Sequence, residues 1–278
     1  MDFVVRESCY EIRALARRAL KNNWKRVAFA MGVFYLLLIT LPTLVGALVP
    51  AATYTIDDPT VGTIELPFMY ALYFALLAGA FNMGMYSYLI CFVRRKDIHI
   101  GHIFDGFPHV LKALWLSIVT TFFIFLWSLL LIVPGIIAAF RYSQAFAVLA
   151  DHPEYSVGQC MGVSKQYMKM NKGKFFCLGL SFIGWALLAS LPSSLAELSI
   201  SLGPVPYLLI SFVANIPNFF YMAYMLTAEI IFYELVSKNL VAAPKNKPMT
   251  MPTAEGLMDQ PVALPVVEKQ ESEDDFQF

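Results

Sequence analysis

The sequence predicts an all-α fold, a polytopic transmembrane helix bundle with six spans paired as three hairpins and cytoplasmic interfacial helices between them. Three observations carry the prediction. The 278 residues are 58% hydrophobic and 14% charged, with a mean hydropathy of +0.62, whereas a soluble domain carries about 25% charged residues. Several apolar runs reach the roughly 20 residues needed to cross a bilayer core of about 30 Å. Finally, one alternating topology puts every Lys and Arg except Arg141 on the same side.

The spans follow in order. Residues 27–49 and 66–93 each form a sufficient apolar run, as do 175–197 and a stretch from about 206 to 236, interrupted by Pro206 and Pro217. Residues 113–151 are too long for one straight span, since as a single helix they would extend about 58 Å. The basic residues decide how this stretch is divided, because short cytoplasmic loops collect Lys and Arg. A turn at Pro134-Gly135 divides it into spans 113–133 and 136–151 and leaves both chain ends inside. The inner segments then hold the cations of residues 1–26, Arg94, Arg95, Lys96 and Lys112, Lys165 to Lys174, and Lys238 to Lys269. The outer loops hold none of them, only acids such as Asp57, Asp58 and Glu65. The returning span of about 24 Å is short, which implies local bilayer thinning or a slightly submerged turn.

Residues 1–26 are expected to be a cytoplasmic basic amphipathic helix. They lack the early apolar core of a cleavable signal peptide, so targeting falls to the first span. Within them Val5, Cys9, Ile12, Ala16 and Leu20 share one face, a pattern that suits an anionic inner leaflet. Segments 103–112 and 156–170 have a weaker version of this character. The entries "LKNNWKR", "LKALW" and "MKMNKGK" suggest a threefold repeat of interfacial helix plus hairpin, although any basic-to-apolar boundary would look similar. Residues 27–237 form the membrane domain, and 238–278, ending "EKQESEDDFQF", have the composition of a disordered cytoplasmic tail.

Intramembrane polar residues are the candidate sites. On the returning helix Arg141, Gln144, Val148 and Asp151 fall on one stripe. Glu229 lies at a matching depth on the last span, on a stripe that includes Tyr233. A charge at the bilayer centre costs at least about 2.5–3.5 kcal/mol, so an Arg141–Glu229 ion pair is expected. It would act either as a structural staple or as a gate on a transport path. Ala71, Ala75 and Gly79 form a small-residue stripe suited to close helix packing.

Other chemistry finds no support in the sequence. Cys9, Cys91, Cys160 and Cys177 are isolated, with neither disulfide nor zinc spacing. His99, His102 and His109 with Asp97 and Asp105 match no strong metal motif. "HIGH" and "KMNKG" look like nucleotide-handling signatures, but they sit in short loops without a nucleotide-binding sheet. There is no phosphate loop and no catalytic triad arrangement. Neither cofactor, metal nor nucleic acid is therefore expected, and the expected partners are the lipid bilayer and another membrane protein.

Four blocks, "IFDGFPHVLKAL", "LWSLLLIVPGIIAAFRYSQAFAVLADHP", "SKQYMKMNKGKFFCLGLSFIGW" and the terminal "FYEL", together with "IRALARRALKNNW", resemble the bacterial integral-membrane family called domain of unknown function 975. The resemblance covers roughly residues 10–236 and places Pro134, Gly135, Arg141, Tyr142, Ser143, Asp151, Ser164 and Trp185 at motif positions. That family has no assigned activity, so the resemblance implies a fold and a bacterial source but no reaction. The expectation is a non-enzymatic scaffold or accessory subunit in the plasma (inner) membrane, multi-pass, with both termini cytoplasmic. The alternative is a small transporter or permease component built on Arg141 and Glu229.

Overall fold

A computed structural model describes residues 3–48, 54–58, 62–66, 68–94, 99–197 and 204–237. Side chains at 45–72, 74–76 and 204–205 lie outside that description, as do Arg95, Lys96, Asp97 and the tail from 238. Helix α1 (Cys9–Leu20) starts from a capping box in which Ser8 and Glu11 satisfy each other's backbone amides. It ends at Asn22, whose positive φ of 70° is tolerated by Asn and redirects the chain into α2 (Trp24–Tyr35). The apolar face predicted for α1 is real, since Ile12, Ala16 and Leu20 are fully buried.

That face does not lie on lipid, which corrects the interfacial expectation. It packs against α9 (Lys172–Leu180) and α12 (Ile216–Val236). The Val5 amide donates to Asn171 Oδ1 at 3.0 Å, Arg13 Nη1 donates to the Ser181 carbonyl at 3.3 Å, and Arg17 Nη1 donates to the Tyr224 hydroxyl at 2.6 Å.

After α2 comes a π-helical turn, Leu36–Thr40, and then α3 (Leu41–Leu48). Pro42 cannot donate to Leu38, and the wider turn, with the Leu41 amide reaching the Leu36 carbonyl, absorbs the missing bond. Two antiparallel strands follow, β1 (Tyr54–Asp58) and β2 (Gly62–Leu66), with Ile56 opposite Ile64. This hairpin is a small addition to an otherwise all-helical fold. Thr and Ile in both segments suit strands. Outside it, every described element is helical.

Helix α4 (Phe68–Val93) leads into two short 3₁₀ turns, Ile100–Phe104 and Phe107–His109, before α5 (Val110–Leu130). The predicted amphipathic helix over 103–112 is therefore absent. The 3₁₀ turns press onto α4 instead, so closely that a Cβ on Gly84 would lie 2.5 Å from the Ile103 carbonyl carbon. Gly79 approaches Ala113 in the same way. The side chains of Ala71 and Ala75 lie outside the described residues.

The turn in the long apolar run falls at Leu131, not at Pro134-Gly135. Leu131 is extended (φ −163°, ψ 150°), and α6 (Ile132–Tyr142) starts at once. Pro134 sits in the first turn of α6, where its missing amide has no intrahelical partner to lose. With α7 (Ala145–Asp151) the returning segment is 20 residues, Ile132–Asp151, about 30 Å of helix. The shortness attributed to it disappears.

Helix α8 (Val157–Met168), capped by Ser156 and Gln159, confirms the helix expected over 156–170. Helix α9 continues into α10 (Ile183–Ala196) with a 43° bend. There Ser181 Oγ donates to the Leu178 carbonyl at 2.6 Å, the side-chain intrusion that kinks helices. Finally α11 (Pro204–Ala214) meets α12 at Asn215, where backbone bonds from Asn215 to Ser211 and from Phe219 to Asn215 carry the helix through.

Among the described residues, four helical segments, Trp24–Leu44, Ile100–Leu130, Ile132–Asp151 and Ile216–Val236, are long and apolar enough to cross a membrane, five with the bent α9–α10 pair. Burial is uneven along them. From Ala223 to Val236, α12 is mostly enclosed by α1, α2, α4 and α10. By contrast Phe122, Leu129, Ile132, Leu187 and Leu195 are exposed.

Candidate functional site

The polar residues predicted to mark a site do not form the arrangement expected of them. Glu229 and Arg141 are not partners. The Glu229 carboxylate accepts a hydrogen bond from the Tyr86 hydroxyl of α4 at 3.0 Å. Among the described residues no carboxylate pairs with Arg141. Arg141 contributes its backbone instead: Ser164 Oγ on α8 donates to the Arg141 carbonyl at 2.9 Å. Position along a helix does not fix which way a side chain faces. Glu229 points to α4, while Arg141 belongs to a helix that α8 covers.

Asp151 is where the charges meet. The Arg94 guanidinium, one residue beyond α4, makes a fork on it, Nη1 to Oδ1 at 2.6 Å and Nη2 to Oδ2 at 2.7 Å. The same guanidinium reaches Glu234 on α12, with Nε to Oε1 at 2.9 Å and Nη2 to Oε1 at 2.8 Å. Tyr233 completes the cluster by donating its hydroxyl to Asp151 Oδ2 at 3.0 Å. One planar cation thus ties α4, α7 and α12 together, a geometry that suits Arg and not Lys. Glu234 is 1% exposed and Asp151 11%. Burial alone would favour releasing the Arg94 proton, but the hydrogen bonds it donates to Asp151 and the charge of Glu234 reverse that and hold the guanidinium above its usual pKa.

The predicted stripe of Arg141, Gln144 and Asp151 is broken, because the helix interrupts at Ser143–Gln144. Gln144 is fully buried; its Nε2 donates to Ser143 Oγ at 3.3 Å, and its Oε1 has no partner among the described residues. Three of the family-motif positions lie in packed surroundings. Tyr142 is buried against Phe123, Ser143 Oγ donates to the Phe140 carbonyl, and Gly135 lets α6 close on α5. Trp185 is 56% exposed.

Sequence reasoning missed Arg94, Glu234 and Tyr86. Arg94 looked like one member of the basic run "RRKD", and Glu234 lay unremarked inside the quoted "FYEL" block. Among the loop histidines, His102 Nδ1 lies 2.7 Å from Asp105 Oδ2, which also accepts from Ser87 Oγ at 2.8 Å. Among the described residues no three His, Cys, Asp or Glu side chains are grouped to hold a metal ion.

Chemically, the Arg94 cluster is a clasp across three helices: Arg94, Asp151, Glu234 and Tyr233 bond to one another, and His152 Nε2 lies 3.8 Å from Asp151 Oδ2 at its edge. In comparison with known proteins, residues 128–240 match the family described as "Protein of unknown function (DUF975)". This is the family that the sequence blocks resemble, and the matched region contains the α5–α6 turn, Arg141, Asp151, Ser164, Trp185 and Glu234. No curated protein and no solved structure matches the chain.

Proposed function

We propose that this chain is a multi-pass protein of a bacterial plasma membrane, acting as a non-enzymatic scaffold or accessory subunit. The observation that carries the reading is how its polar groups are used. Arg94, Asp151, Glu234 and Tyr233 bond to one another and tie three helices together. Meanwhile α5, α6 and α10 present large apolar side chains outward, the surface of a protein embedded in lipid or packed on another membrane protein. Six crossings, by residues 24–48, 68–93, 110–130, 132–151, 172–196 and 204–236, place both ends on the cytoplasmic side together with the Arg94 clasp. That side carries the Lys and Arg of the connecting segments, in keeping with the positive-inside rule.

The transporter alternative rested on an Arg141–Glu229 pair, and it loses that support because Glu229 bonds to Tyr86. Native mass spectrometry of the tagged chain, extracted mildly from its own membranes, tests the reading. A second membrane protein at fixed stoichiometry is the expected result. A lone chain carrying one defined metabolite would favour transport instead.

A further inference from the structure

Resting on the membrane-spanning reading of α2 and α12, we infer that the groove between α2 and the α11–α12 helix is a binding site for an anionic phospholipid. One acyl chain fills the groove and the phosphate rests at Lys25. The groove holds about 430 Å³, within the range of about 300–1,000 Å³ for small-molecule sites. Its walls include Gly32 and Leu36 of α2, Phe212 of α11 and Phe219 and Phe220 of α12, and among the described residues Lys25 is the charged one lining it. Gly32 opens the space, since a Cβ there would stand 3.5 Å from the Phe219 ring and a longer side chain would enter the groove.

Depth and charge identify the occupant. From Lys25 to Leu36 the groove follows α2 for about 16 Å, the direction an acyl chain takes from headgroup toward the bilayer centre. Trp24 opens α2 beside Lys25, and Trp is enriched where a span enters the headgroup region. No carboxylate occurs between Glu11 and Asp57, while Arg13, Arg17, Arg18, Lys21, Lys25 and Arg26 all lie in that stretch. Arg13 and Arg17 are turned onto Ser181 and Tyr224, whereas Lys25 is exposed at the rim. A cation over an apolar slot complements a phosphodiester with an acyl tail.

The test reconstitutes the full chain in nanodiscs of phosphatidylglycerol and phosphatidylcholine in equal amounts, then counts the lipids retained after gentle release. The wild type is expected to keep phosphatidylglycerol in preference. Lys25→Gln should reduce that preference about fivefold, the weight of one basic residue at an anionic surface. Gly32→Leu, checked for an unchanged monodisperse profile, should abolish retention of the lipid. Equal retention of the two lipids by the wild type, or an unchanged preference in Lys25→Gln, would overturn the inference and leave the membrane reading intact. A chain that never enters the nanodiscs would overturn both.

Discussion

Gly135 of α6 faces Ser128 of α5 at backbone contact: a Cβ on Gly135 would lie 2.8 Å from the Ser128 Cα. Two residues seven apart on one straight helix could not meet this way, because their Cα atoms would stand about 10 Å apart. The chain therefore folds back at Leu131. Gly135→Ala should cost about 1–3 kcal/mol through overpacking, seen as a lower melting temperature of the purified protein. An unchanged melting temperature would show that the two helices do not close here.

The Arg94 clasp is expected to be the most sensitive polar feature. Arg94→Ala leaves Asp151 and Glu234 without their cation, and removing one partner of a buried pair costs about 3–5 kcal/mol. Much of the chain should then fail to accumulate. Neutralising both carboxylates in the same background, with Asp151→Asn and Glu234→Gln, should recover part of the yield. Recovery in the triple variant separates an uncompensated charge from a simple loss of packing.

Glu229 makes a contrasting prediction. Its partner is a hydroxyl that donates to it, and an amide oxygen can accept the same bond. Glu229→Gln should therefore be mild. A double-mutant cycle with Tyr86→Phe should give a coupling of about 0.5–1.5 kcal/mol. Exchanging the charges, Arg141→Glu with Glu229→Arg, should give no rescue relative to the single variants. A rescue would restore the pairing that the structure replaces.

Cysteine reactivity provides a pH test away from the membrane spans. Cys160 on α8 is fully buried, and burial pushes its thiol up to about 11 from 9.0. Because the thiolate is the nucleophile, a rise of that size leaves on the order of 100-fold less of it near pH 8. Cys160 should resist iodoacetamide in the native protein and react once the chain is unfolded, with native reactivity rising only at strongly alkaline pH. Rapid native labelling at pH 8 would contradict its placement.

Much of this architecture was legible in residue types, and the failures have identifiable physical causes. The apolar face of α1 was read correctly from Val5, Ile12, Ala16 and Leu20, because periodicity reports which residues are buried. It does not report what buries them, so α9 and α12 were mistaken for lipid. The fold-back within 113–151 followed from length and charge, whereas its position was set three residues late. Pro-Gly is a strong turn signal, yet Pro is equally at home in a helix's first turn, and the extended Leu131 carries no compositional mark. The ion pair failed for a different reason. Counting residues from the helix ends gives depth, but the pairing of Arg94 with Asp151 and Glu234 depends on how three distant helices rotate about their axes. A single sequence carries little record of that rotation.

The return of the chain across the membrane between Leu131 and Asp151 is the claim on which the topology depends. It is tested most directly by single-cysteine labelling in a chain whose native cysteines are replaced by Ala. Leu131→Cys and Glu154→Cys lie on exposed positions at opposite ends of that segment. In intact cells an impermeant maleimide should label Leu131→Cys at once and Glu154→Cys only after permeabilisation. Labelling of both from the same side would contradict the crossing, and with it the six-span account.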